Sequence, residues 1–104
     1  MKEYLERLQM VIQHLHHCDS KHLKTVPVHE IFNGETVWEG KVEVFAVTHP
    51  KTTRCYAWAT PNGDFTAVLG VAPITTPPNA VRASMVADTH AKRVSGARLA
   101  ATHG

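Results

Sequence analysis

Long hydrophobic runs are missing from this chain. Nothing in its 104 residues approaches the roughly 18 consecutive apolar residues from which a membrane-crossing helix is read. Its first residues, Met1-Lys2-Glu3-Tyr4-Leu5-Glu6-Arg7, include acids and form no apolar core, so they are not read as a signal peptide. The expected location is therefore cytoplasmic. Cysteine is scarce, with only Cys18 and Cys55 present. That excludes a small disulfide-framed scaffold and points to two reduced, buried thiols. Signature motifs are absent as well: there is no GxSxG, Walker A loop, GxGxxG or HExxH. The corresponding hydrolase, nucleotide-binding, dinucleotide-binding and zinc-protease chemistries lose their usual signals. Acidic residues thin out after residue 50, where only Asp64 and Asp88 remain. The halves carry about −2 and +4, too slight a contrast to imply nucleic-acid binding.

What is present describes one α+β domain. The apolar share of 43% is ordinary for a globular chain and allows a modest core. From Lys2 to Cys18, Tyr4, Leu5, Leu8, Val11, Ile12, Leu15 and Cys18 fall within an arc of about 140°, which predicts an amphipathic helix. Thr25 to Phe32 reads as a strand, with Pro27 demoting it to an edge position. Asn33-Gly34 is a two-residue hairpin signal. Glu35 to Thr48 is a second, long strand in which Gly40 suggests a bulge or bend. Thr53–Thr60 and Phe65–Val71 complete a meander around the turn Pro61-Asn62-Gly63-Asp64. Thr76 is a good N-cap and Pro77 a good first helical residue. The spacing of Ala80, Ala83, Ala87 and Ala91 extends that helix to about Lys92. The expected architecture is a four-stranded antiparallel sheet with both terminal helices on one face. The domain spans 1–93, and 94–104 is a frayed tail.

Three constellations are candidates for function. Arg54, Tyr56 and Trp58 share one face of the third strand, opposite Cys55, Ala57 and Ala59. Tyr, Trp and Arg are enriched at interface hot spots. With Trp38 they form either an open contact surface or a core that the helices cover, and both readings stay open. Eight histidines invite a metal hypothesis. On a helix continued past Cys18, His14, Cys18 and His22 would follow one another at i,i+4 spacing, a nitrogen and sulfur set suited to zinc. No second such pair completes a closed site, so these three are weak candidates and no cofactor is expected. Cys55 has no base or motif around it to make it a nucleophile. The carboxylates of the second strand alternate with lysine on what reads as a solvated face.

His16-His17-Cys18-Asp19, Thr25-Val26-Pro27-Val28 and Val37-Trp38-Glu39-Gly40 with Val42-Glu43-Val44-Phe45 form a distinctive run. His49-Pro50-Lys51, Arg54-Cys55-Tyr56-Ala57-Trp58 and Pro77-Pro78-Asn79-Ala80-Val81-Arg82-Ala83 continue it. Together they resemble small proteins encoded by the mobile gene cassettes of bacterial integrons, over roughly residues 15 to 90. The resemblance implies a bacterial, cytosolic accessory protein whose family has no established activity, and it transfers no catalytic residue. The element order is also similar to that of double-stranded RNA-binding domains. There the second helix starts with lysines, whereas Arg82 is the only base at that position here.

These readings combine into an expected non-enzymatic, homodimeric binding module. Its contact surface would be the face of Arg54, Tyr56 and Trp58. The alternatives are a small-molecule site or enzyme pocket beneath the first helix, near His14, Cys18 and Cys55, and a weak nucleic-acid binder.

Overall fold

The computed structural model describes residues 2–60, 63–85 and 91–95. The elements run α1 (Lys2–His16), β1 (Ser20–Phe32), β2 (Glu35–His49), β3 (Thr52–Ala59), β4 (Asp64–Leu69), α2 (Pro77–Ser84) and β5 (Ala91–Ser95). All five strands lie antiparallel in chain order. The α+β class and the meander of β1 to β4 are as the sequence predicts, and β1 with its Pro27 is an edge strand.

Local chemistry accounts for most element ends. At His17 the chain turns to φ 57°, a left-handed conformation, and the His17 N–H donates to Gln13 O at 2.9 Å. This closes α1 short of Cys18. Asn33 and Gly34 both take positive φ, 53° and 78°, as a two-residue hairpin turn requires. Thr76 caps α2 by accepting the Asn79 N–H, and Pro77 follows as its first residue.

Several expectations are corrected. α2 ends at Ser84 rather than Lys92. Ala91–Ser95 instead forms a strand that pairs with β4, Phe65 opposite Val94 and Val68 opposite Ala91. The unpaired edge of β4 outweighs the helical spacing of alanines, a case of tertiary context overriding propensity. Val94 and Ser95, assigned to a frayed tail, thus belong to the sheet; Ala87 and the remainder of the tail lie outside the described residues. β1 starts five residues before the predicted Thr25, so His22 sits on a strand. Gly40 is no bulge, because it stays in register opposite Val28. A side chain there would meet the Trp38 ring at 3.0 Å, so the glycine makes room for that indole. The bulges fall instead at Leu23 on β1 and Val37 on β2, where the pairing slips by one residue.

The helices do not share a face. α1 packs Leu8, Val11 and Ile12 against Phe45, Val47, Cys55, Ala57, Phe65 and Ala67. α2 places Ala80 and Val81, with Ile74 ahead of them, against Val28, Val42, Val44, Tyr56, Trp58 and Val68. Along β2, β3 and β4 these two sets alternate residue by residue, the period-two signature of opposite faces. Both faces of the central strands are apolar, so one helix could not have covered both. Two cores, one on each side of the sheet, are the result.

Candidate functional site

The face proposed as an open contact surface is closed. Trp58 is 1% and Tyr56 4% exposed, and α2 covers them. Burial pushes the Tyr56 hydroxyl pKa up. Arg54 stays exposed at the start of β3. Trp38 is half-buried, its ring edge-on to Trp58 with centroids 5.8 Å apart and planes at 74°. The structure brings Trp38, Tyr56 and Trp58 together as packing, with Arg54 outside it.

The metal candidates do not converge. His14 is on α1, Cys18 is buried beyond its end, and His22 lies on β1. Among the described residues no group of three His, Cys, Asp or Glu is placed to hold a metal ion. His16 is buried, with Nε2 3.0 Å from Ala67 O, and so pins the last turn of α1 to β4. Both cysteines are free and buried. Burial pushes the Cys55 thiol up to about 12, with the neighbouring Cys18 adding to the rise. Such a thiol stays protonated and is a poor nucleophile at neutral pH.

Sequence reasoning missed a polar cluster at Glu43, which was read as solvated and is 1% exposed. Its Oε1 accepts from Thr25 Oγ1 and lies 2.8 Å from His22 Nε2. The bulge at Leu23 makes this possible. Thr25 pairs with Glu43 and His22 with Phe45, so two β1 residues three apart reach the same face. The His22 ring also sits edge-on to Phe45, centroids 5.4 Å apart. The hydrogen bonds offset the desolvation of a buried carboxylate. Two β1 side chains on one β2 carboxylate lock β1 to β2; a carboxylate, an imidazole and a threonine in this arrangement form no nucleophile–base relay.

The exposed chemistry lies elsewhere. β2 pairs with β3 no further than Glu43 opposite Ala57, whereas its pairing with β1 continues to Phe32 opposite Glu35. At the departure point the Tyr4 hydroxyl accepts the Ala59 N–H at 3.1 Å, taking up a backbone donor at the end of β3. Beyond it, β1 and β2 run on as a two-stranded arm. The tip of the arm presents Phe32, 68% exposed, Ile31, 61%, and Val37, 47%. Beside the free edge of β2 is an open notch of about 600 Å³ lined by Thr36 to Lys41 with Ala59 and Thr60. A shallower depression of about 300 Å³ is lined by Pro27, Val28, His29, Glu39, Gly40 and Lys41. The signal that could have found the arm was the mismatch of strand lengths. A strand of about 14 residues beside one of eight leaves an unpartnered stretch.

Comparison with family models, curated proteins and solved structures gives no match for the chain. No helix among the described residues is long and apolar enough to cross a membrane. The functional reading therefore rests on the arm and its surroundings.

Proposed function

We propose that this chain is a non-enzymatic interaction module that forms a homodimer, with the β1–β2 arm as its contact surface. It would serve as an accessory protein of the bacterial cytoplasm, as the resemblance to integron cassette proteins implies. One observation carries the reading. Among the described residues, the three most exposed large apolar side chains, Phe32, Ile31 and Val37, all lie at the tip of one arm. Apolar side chains exposed singly are ordinary, whereas a cluster of them on a projecting element marks an interaction surface. The contact surface thus moves from Tyr56 and Trp58 to the arm.

The space beneath α1 favours a pocket less. Leu8, Val11, Ile12, Cys18, Phe45 and Cys55 pack there as core. Sedimentation equilibrium of the wild type and of an Ile31→Glu/Phe32→Glu variant tests the proposal. A wild-type dimer and a folded monomeric variant are expected. A wild-type monomer at high micromolar concentration, or a variant that still dimerises, would overturn it.

A further inference from the structure

The arm also carries a hydroxyl, an imidazole and a carboxylate in series. His29 on β1 pairs with Glu39 on β2, and Ile31 pairs with Thr36. The bulge at Val37 takes up the extra residue between them. Thr36 and Glu39, three apart in sequence, therefore reach the same face on either side of His29. His29 Nε2 lies 2.6 Å from Thr36 Oγ1, and its Nδ1 lies 3.9 Å from Glu39 Oε2. At Glu43 a single carboxylate holds both the hydroxyl and the imidazole. On the arm the imidazole stands between the other two groups. That is the order of a nucleophile, its base and the group that orients the base. All three side chains are exposed, and His29 and Glu39 also line the depression of about 300 Å³ that continues to Lys41.

We infer that Thr36 is an acyl acceptor, the site at which a small activated acyl ester leaves its acyl group. This chemistry goes beyond the contact role of the arm and does not rest on it. With the Thr36 hydroxyl donating to His29 Nε2, the ring proton sits on Nδ1, toward the Glu39 carboxylate. At 3.9 Å that carboxylate acts through its charge rather than through a direct hydrogen bond, and it favours that tautomer. Oγ1 attacks the acyl carbon and its proton passes to Nε2. The bond from the acyl carbon to the leaving group then breaks, and the electron pair goes with the leaving group. The imidazolium returns its proton to the leaving group or to solvent. The product is one ester per chain, on Thr36, and nothing is oxidised or reduced. An isolated threonine hydroxyl is a weak nucleophile at neutral pH, and a positioned base raises such rates by about 10²- to 10⁴-fold. Glu39 acts through His29 and is a positioning residue.

Labelling with p-nitrophenyl acetate tests the inference. Peptide mass spectrometry locates each acetyl group, and hydroxylamine separates labile threonine esters from stable lysine amides. Thr53, exposed on β3, is the internal reference. Thr36 is expected to be acetylated at least about tenfold faster than Thr53, and His29→Gln should return it to the reference rate. Glu39→Gln should slow Thr36 by a smaller factor, and Glu39→Asp, which keeps the charge, should recover most of the rate. Circular dichroism should match across these proteins, since the substituted positions are exposed. A dilution series separates shielding by a second copy from lack of reactivity. Thr36 labelled no faster than Thr53 at the lowest concentration would overturn the proposal. So would an undiminished rate in His29→Gln. Equal rates in Glu39→Gln and the wild type would overturn the positioning role of Glu39.

Discussion

β1 and β2 run through two different environments along their length. From Val42 to Val47 β2 is flanked by β1 and β3, with a helix over each face, and Val42, Glu43, Val44, Phe45 and Val47 are all buried. From Glu35 to Lys41 the same strand has a partner on one side only, and every residue is exposed or half-buried. Both halves are strand paired to β1, with one bulge at Val37 in the outer half; what decides burial is the presence of β3 and the helices. The lesson is that burial on a strand is decided by the neighbours. The lower half acts as scaffold and the upper half is free to act as surface.

The sharpest way to test that contrast is to truncate one large side chain in each half. Trp58→Ala removes a fully buried ring from the α2-side core and should cost about 3–5 kcal/mol in urea unfolding. Phe32→Ala in the arm should change monomer stability by less than about 0.5 kcal/mol. Equal costs would mean that the arm is packed rather than exposed.

Glu43→Ala probes the point where the two halves meet. It leaves the Thr25 and His22 donors without their acceptor, and a loss of about 1–3 kcal/mol is expected. His22→Ala, removing the more exposed partner, should cost less. Denaturant titration of both variants orders the two effects.

At neutral pH the smallest effect is that of the Cys55 thiol, which emerges only in alkali and belongs to the scaffold alone. The Cys55 thiol pKa is raised in the folded chain, to about 12 from an ordinary 9.0. The unfolded chain therefore gives up this proton first. Stability from this group is intact below about pH 9 and declines as pH rises toward 12. Cys55→Ala should flatten the fall in melting temperature over that window. An unchanged slope would locate the alkaline loss in other groups, such as Tyr4, whose pKa is raised chiefly by burial.

How much of this was legible in the sequence differs between fold and site. The meander could be read because its determinants are local: Asn33-Gly34 specifies its turn, Thr76-Pro77 its helix start, and Pro27 its edge. The fifth strand could not be read. Ala91-Lys92-Arg93-Val94-Ser95 has no strand pattern of its own and pairs because β4 offers an edge. The distribution of helices was half legible. Val42 and Val44 facing one way, with Phe45 and Val47 facing the other, showed both faces to be apolar, which already required cover on both. Glu43 was misread because the bulge at Leu23, which aims His22 and Thr25 at it, leaves no mark in composition or alternation. Tyr56 and Trp58 satisfy core and interface chemistry equally well, so only the position of α2 decides between them. The candidate site itself was the least visible, because the arm is defined by where β3 stops.

The most direct measurement is amide hydrogen exchange as a function of protein concentration. The scaffold amides of Val42 to Val47 should be protected at every concentration. Protection is expected to rise with concentration at residues 31–41 and nowhere else among the described residues. Protection there that does not change with concentration, or a rise centred on another element such as α2 or β5, would contradict the arm as the contact surface.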